Sequence, residues 1–300
     1  MISIIGSGLV GSSIAFLCAS NGLDDIVLLN YPKKQALGAS LDITNTIPID
    51  SDTTISGTDN YSEISDSKII VITASTGVYL KDRNEFMGAQ IDMIRDITKK
   101  IKTHCKLPII LIVSNPVDVL TYFFQKEINF PRSKVIGIAS TLDSSRFRYI
   151  LSKKIGNKIS EISNVHVFGE HGDSMVPIFS KVKINEKKIL DIIDSKQKEE
   201  ITSEVRDYWK SLRNLDSRSH FGIAKKTFDV IKSILNNHPI YIPASVLLEG
   251  EFGEKDVCMG VPVKITPEGA VIQDMKLDES EQELFKKSAQ IIRANIQVSR

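Results

Sequence analysis

The stretch Met1-Ile-Ser-Ile-Ile-Gly-Ser-Gly-Leu-Val-Gly11 decides the fold. Ile2–Ile5 is a short, largely β-branched run, too brief for a buried helix, and it reads as a central strand. Gly6-Ser7-Gly8-Leu9-Val10-Gly11 follows it with GxGxxG spacing, and helical spacing takes over across Ser12–Ser20. Between a strand and a helix, the first glycine permits a tight turn. The second lets a pyrophosphate approach the backbone, and the third lets the helix pack on the strand. The helix N-terminus then turns its unpaired N–H groups toward the phosphates. All six residues are assigned to a dinucleotide cofactor.

The same kind of run recurs at Ile26–Leu29, Ile69–Thr73, Ile109–Val113 and Val135–Ile138, with helical stretches such as Phe86–Ile101 between. That alternation predicts an α/β fold with a doubly wound parallel (Rossmann) sheet. The sheet is expected to end near residue 138, which makes 1–138 a dinucleotide-binding domain. Residues 139–300 change character and are expected to form an α+β substrate domain. Its elements are a helix over Ser144–Lys154, hairpin-like strands at Val165–Phe168 and Lys181–Ile184, and a late strand at Val261–Ile265. A charged amphipathic helix over Leu190–Leu215 reads as a solvated face and is assigned no function. There is no internal repeat or flexible linker, so the halves are expected to pack as one rigid body.

Three hundred residues with 42% hydrophobic content suffice for a substantial core. Charged residues make up 25% and cancel to a net +1, so the chain lacks the field that holds nucleic acid or an anionic membrane. Small-molecule chemistry is the expectation. Cys18, Cys105 and Cys258 are far apart and odd in number, which argues against a disulfide framework and for a reducing compartment. The N-terminus lacks a basic lead and reaches its Gly-rich turn after five residues, unlike a secretory segment. No apolar run approaches the roughly 18–20 residues of a bilayer span. A cytoplasmic location is expected.

The second strand should end in a carboxylate that holds the ribose 2′-hydroxyl, but that place is Asn30. An amide bonds a hydroxyl without repelling a 2′-phosphate, and Lys33 and Lys34 follow. The cofactor is therefore NAD or NADP. The alternative for Tyr31-Pro32-Lys33-Lys34 is a solvated turn.

Three further segments carry chemistry: Ser114-Asn115-Pro116-Val117-Asp118, Thr141-Leu142-Asp143-Ser144-Ser145-Arg146-Phe147-Arg148 and Gly169-Glu170-His171-Gly172-Asp173-Ser174. Together they resemble the lactate/malate dehydrogenase family. PASVLLEGEFG and MGVPVKI, later in the chain, are similar to its archaeal-type malate dehydrogenase branch. The resemblance spans nearly the whole chain. Reducing a 2-oxo acid requires an acid for the ketone oxygen, a cation for the carboxylate and a hydride donor at fixed distance.

The resemblance implies that His171 donates or accepts the proton, and that Asp143 orients its imidazole and favours the charged form. It makes Arg146 the clamp on the substrate carboxylate and Asn115 a substrate-bonding amide at the sheet's carboxyl edge. Asp143 and Arg146 are three apart near a helix start, with Thr141 a candidate cap, so a plain intrahelical ion pair is the alternative. Asn115 could instead be a turn former before Pro116. Ser219 is either a pocket-lining hydroxyl or a helix cap. Gln90, Val113 and Asn115 are counted with the cofactor site. His166, His104, His220 and His238 lack ligand spacing, and no metal is expected.

Relatives close a loop over the substrate; here it reads Ala74-Ser75-Thr76-Gly77-Val78-Tyr79-Leu80-Lys81-Asp82-Arg83. Arg83 matches the family's loop arginine, which polarises the ketone. The earlier arginine of malate-specific members is replaced by Val78 or Tyr79, neither able to pair a carboxylate. Lys81 is the remaining candidate for that charge. Malate dehydrogenase is the first reading. A dehydrogenase for lactate or another apolar 2-hydroxy acid is the second, and an inactive cofactor-binding sensor the third. The resemblance also implies a homo-oligomer, a dimer or tetramer.

Overall fold

The computed structural model describes residues 1–76 and 83–298, with the side chains of 83–86 left aside. Six parallel strands build the first half: β1 (Ile2–Ile5), β2 (Ile26–Leu29), β3 (Ile55–Thr58), β4 (Ile69–Ile72), β5 (Ile109–Ile112) and β6 (Val135–Gly137). Helices α1 (Leu9–Ser20), α2 (Lys33–Thr44), α3 (Arg83–His104) and α4 (Val117–Ile128) connect them. β1, β2, β4 and β5 are buried throughout, as expected of strands covered by helices on both faces.

The spatial order β3-β2-β1-β4-β5-β6 reverses between β1 and β4. Register places Ile5 opposite Ile72, and Ile72 opposite Ile112. Three strands therefore end at one level, and the Gly-rich turn, Thr73–Thr76 and Val113–Asn115 leave the sheet side by side. Doubly wound sheets bind ligands at this crevice.

The second half opens with α5 (Ser140–Ile155), four residues earlier than its predicted start. Thr141 lies inside the first turn, and Ala139 occupies the cap position without a side-chain bond. Two-residue strands follow: β7 (Ile162–Ser163), β8 (Val167–Phe168), β9 (Val176–Pro177), β10 (Lys183–Ile184) and β11 (Lys187–Lys188). The segments read as one hairpin do not pair with each other: β8 pairs β9, whereas β10 pairs β7 and β11. Gly169–Met175 is thereby held between β8 and β9. Helix α6 (Ser195–Arg213) is closed by Asp194, whose carboxylate accepts the Gln197 N–H at 2.7 Å. Helix α7 (Phe221–Leu235) completes this segment.

The chain then returns to the first sheet as β12 (Ile240–Glu249), β13 (Lys255–Thr266) and β14 (Gly269–Ile272), before α8 (Glu279–Val298). β12 runs antiparallel to β6, with Ser245 opposite Gly137, and the long β12–β13 ladder carries on to β14. The sheet therefore does not end near residue 138; it has nine strands. One apolar core joins Ile2, Ile70 and Phe124 to Ala244, Val257 and Phe285, across that boundary. A second core gathers Phe147, Leu151, Phe179 and Ile201 beneath α5 and α6. β3 escaped the sequence reading because Ile-Ser-Gly-Thr is barely apolar. Gly57 there lies so close to α2 that a Cβ would sit 2.5 Å from the Ala36 carbonyl carbon. Among the described residues, no helix is long and apolar enough to cross a membrane.

Candidate active site at the carboxyl edge of the sheet

Each glycine of the turn has a distinct surrounding. Gly6 has φ +105°, and a Cβ there would stand 2.7 Å from the Ala74 nitrogen, so it permits both the turn and the abutment of β1 on the β4 loop. A Cβ on Gly11 would fall on the Gly6 carbonyl oxygen and 2.7 Å from Thr73 Oγ1, so helix α1 could not seat against β1. Gly8 is different: its φ of −73° suits any residue, and a Cβ would meet nothing within 4 Å. No described residue requires a glycine there, and the open cradle suits a ligand approaching the backbone. Beside it Ser7 Oγ is buried without a hydrogen-bond partner among the described residues. Leu9 is exposed and Val10 partly so, at the first turn of α1. The unpartnered hydroxyl, the open glycine and the uncapped helix N-terminus fit a dinucleotide diphosphate.

Asn30, at the end of β2, spends its amide within the protein. Its Oδ1 accepts the Ser7 N–H at 3.1 Å, and its Nδ2 donates to the Pro32 carbonyl at 3.3 Å and Gln35 Oε1 at 3.1 Å. It thus ties the Gly-rich turn to α2, while Lys33 and Lys34 lie exposed at the start of that helix. Gln90, fully buried on α3, donates to Ser75 Oγ at 3.1 Å and Thr76 Oγ1 at 3.0 Å. Its amide therefore holds the start of the loop. Val113 is buried at the end of β5. Lys81 lies outside the described residues, as does the Arg83 side chain.

The acid–base cluster comes from α5 and the β8–β9 loop. Asp143, its side chain 1% exposed, offers one oxygen to each of two partners. Oδ2 lies 2.6 Å from His171 Nδ1, and Oδ1 accepts from Arg146 Nη1 at 3.1 Å. A carboxylate can only accept, so the imidazole donates through Nδ1, which directs Nε2 elsewhere. The i,i+3 spacing puts Asp143 and Arg146 on one helix face, and the guanidinium packs 5.1 Å from the Tyr208 ring centre. The intrahelical ion pair and the His171 contact coexist. Burial alone would depress the His171 pKa. The charge and hydrogen bond of Asp143, with the charge of Asp118, outweigh it and hold the imidazole above its ordinary value.

Backbone contacts fix the loop. Gly169 and Gly260 exchange N–H to carbonyl bonds of 2.9 and 2.8 Å, and the Glu170 N–H reaches Ser288 Oγ at 2.8 Å. The His171 N–H donates to Asp118 Oδ2 at 2.7 Å. Asp118 closes the Ser114–Asp118 segment, and no local signal marks it, because its partners, His171 and Ser245, are remote in sequence. Asn115 is exposed at the carboxyl edge after β5, and its Oδ1 accepts the Val117 N–H at 3.3 Å. It turns the chain into α4 and stands at the crevice as well. Ser219 is exposed in the segment between α6 and α7 and caps neither, since His220 precedes α7. His166 is drawn down to about 4 by burial and by the nearby Arg148 charge, so it is neutral at pH 7.

Residues 1–137 match the model of the lactate/malate dehydrogenase NAD binding domain, and residues 140–299 that of the lactate/malate dehydrogenase alpha/beta C-terminal domain. A malate dehydrogenase of Pelagibacter ubique is 34% identical, over 98% of this chain and 95% of its own length. The malate dehydrogenase of Aeropyrum pernix superposes with a TM-score of 0.92 at 29% identity, covering 100% of this chain and 99% of the other. A lactate dehydrogenase of Cryptosporidium parvum, solved with lactic acid and nicotinamide adenine dinucleotide, gives 0.93 at 31% identity, over 99% and 97% of the two chains.

Proposed function

Since this chain belongs to the lactate/malate dehydrogenase family, we propose that it interconverts malate and oxaloacetate, with His171 exchanging the proton. It is an NAD-dependent 2-hydroxyacid dehydrogenase; when bound, NADH would supply the hydride for reduction and NAD would accept it in oxidation. We assign residues 1–138 to holding the cofactor and 139–300 to holding the substrate, with β12–β14 bracing the first half.

The observation that carries the reading is the Asp143 relay, His171 on one oxygen and Arg146 on the other. In the reductive direction, His171 Nε2–H gives its proton to the ketone oxygen as C2 gains the hydride. The carbonyl π bond becomes a C–O single bond, and the imidazole is left neutral. Arg146 meets the C1 carboxylate with its planar fork, Asn115 bonds the reacting oxygen, and Arg83 polarises it. Ser7 and Gly8 seat the diphosphate on a turn that Gly6 and Gly11 shape, with Leu9 and Val10 opening the helix beneath it and Gln90 and Val113 lining the nicotinamide side. Lys81 pairs the second carboxylate, and Ser219 faces the substrate from before α7. A homo-oligomer belongs to the same proposal.

A second reading, an apolar 2-hydroxy acid such as lactate, is favoured by Val78 and Tyr79, which carry no charge for a second carboxylate. A matrix of NADH and NADPH against oxaloacetate, pyruvate and 2-oxoisocaproate separates the two. Oxaloacetate should give the highest kcat/KM, and a higher value for either monocarboxylate would replace the malate reading. The NADPH column measures how far the neutral Asn30 and the Lys33–Lys34 pair relax the cofactor preference.

A further inference from the structure

Helix α6 is charged over most of its surface, with Glu200, Glu204 and Lys210 exposed, yet Ile201, Val205 and Tyr208 recur on it at i, i+4 and i+7. Ile201 and Val205 are buried in the second core, and Tyr208 packs against the margin of that core. The stripe thereby carries its last member onto α5. There the Arg146 guanidinium carbon lies 5.1 Å from the Tyr208 ring centre, and the Tyr149 ring stands T-shaped to it at 6.4 Å with the planes at 85°. Arg146 and Tyr149 are i and i+3 on α5, so one helix face offers both to the ring. The Arg146 side chain is 10% exposed, and its Nη1 donates to Asp143 Oδ1 at 3.1 Å. Among the described residues no second ion pair or hydrogen bond reaches this guanidinium. A long, rotamer-rich side chain held at one corner needs another restraint to keep one orientation. A second carboxylate would provide it only by occupying N–H donors and competing with a substrate carboxylate. An aromatic face attracts the cation through the ring quadrupole and occupies none of them.

We propose that Tyr208 is a positioning residue for Arg146: its ring holds the guanidinium in place and leaves the N–H fork for the C1 carboxylate of the substrate. Asp143 fixes the cation through one nitrogen, Tyr208 fixes it through the ring, and Tyr149 braces the ring in turn. Helix α6 therefore has a role in substrate binding, although its composition reads as a solvated face. This inference rests on Arg146 being the substrate clamp.

The test is steady-state reduction of oxaloacetate and pyruvate by NADH in variants at position 208. Tyr208→Leu keeps the apolar stripe and removes the ring: KM for the 2-oxo acid should rise roughly tenfold, with kcat and the Kd of NADH within about twofold of wild type. Tyr208→Phe keeps the ring and should stay within about twofold of wild type throughout. Both substrates carry the C1 carboxylate, so the two KM values should rise in the same proportion. Mono-, tri- and pentafluorinated phenylalanine at position 208 keep the shape of the ring while draining its quadrupole, and KM should climb along that series. This series also decides the matter if Tyr208→Leu fails to fold. An unchanged KM in folded Tyr208→Leu, or a flat fluorinated series, would overturn the proposal. A loss confined to one of the two substrates would overturn it as well, by placing Tyr208 against the substrate side chain. Arg146→Lys separates the two failures: if it leaves KM unchanged, Arg146 is not the clamp, whereas a raised KM there beside a flat fluorinated series removes Tyr208 alone.

Discussion

At the scale of single residues, Asp143 is the hub, because one buried carboxylate binds both His171, the proposed proton donor, and Arg146, the proposed substrate clamp. His171→Asn keeps a polar side chain but cannot exchange the proton. We expect kcat to drop by roughly 10³-fold or more with the circular dichroism spectrum intact; wild-type turnover would remove His171 from the mechanism. Its raised pKa has a definite sign. In the proposed mechanism reduction needs the imidazolium, so activity in that direction should persist to higher pH than an ordinary histidine would allow and be lost as pH rises through the folded pKa. Oxidation needs the neutral ring and gains over the same window. Asp118 makes a different prediction. Its folded pKa, about 6, exceeds the ordinary carboxylate value, so folding favours its protonated form and its ionised form costs stability above that pH. Wild-type stability should therefore fall as pH rises through about 6, and Asp118→Asn should remove that part of the fall; thermal unfolding at pH 5 and 7.5 measures it, and an unchanged pH dependence would contradict the raised pKa.

At the scale of elements, the Gly-rich turn separates two requirements that its spacing merges. Gly11 serves packing, since a Cβ there would strike the Gly6 carbonyl. Gly11→Ala should destabilise the fold by about 1–3 kcal/mol. Gly8 meets no protein atom. Gly8→Ala should leave the thermal midpoint unchanged or slightly raised, because alanine restricts the unfolded chain, while weakening NAD binding at least about tenfold through loss of the approach distance. Calorimetry of the apo proteins and NAD titration separate these effects, and equal losses in both variants would contradict the division of roles. Helix α5 is the second such element. One turn presents Asp143 to His171 and Arg146 to Asp143 and the Tyr208 ring, while Phe147, four residues on from Asp143, is buried in the second core.

At the scale of the molecule, the nine-stranded sheet binds the two halves into one cooperative unit. β6 pairs with β12, and Ala244, Val257 and Phe285 share one apolar core with Ile2 and Ile70 of the first half. Unfolding followed by far-ultraviolet dichroism should coincide with unfolding followed by Trp209 fluorescence, the sole tryptophan, on α6. Two separated transitions would show that the halves fold independently. NAD at a hundred times its Kd should stabilise the whole unit by about 2.7 kcal/mol.

The local parts of this molecule were written in its local sequence. Ile2–Ile5, Ile26–Leu29 and Ile109–Ile112 became strands because brief β-branched runs pack well on a pleated surface buried on both faces. The glycine spacing marked the turn, and the three polar segments supplied His171, Asp143, Arg146 and Asn115. Ile55–Thr58 was invisible because its place in the sheet comes from hydrogen bonds to β2 and from α2 lying over Gly57, not from its own side chains. The return of β12–β14 to the first sheet depended on an open strand edge at β6, which exists only after that sheet forms. The tether from Asp118 to His171 and Ser245 spans 53 and 127 residues of chain. Composition and periodicity act over a few turns, so they mark the strands and the turn, and the short motifs carry the resemblance that implies the reacting groups. Only the closed tertiary structure decides which buried charge stands behind them.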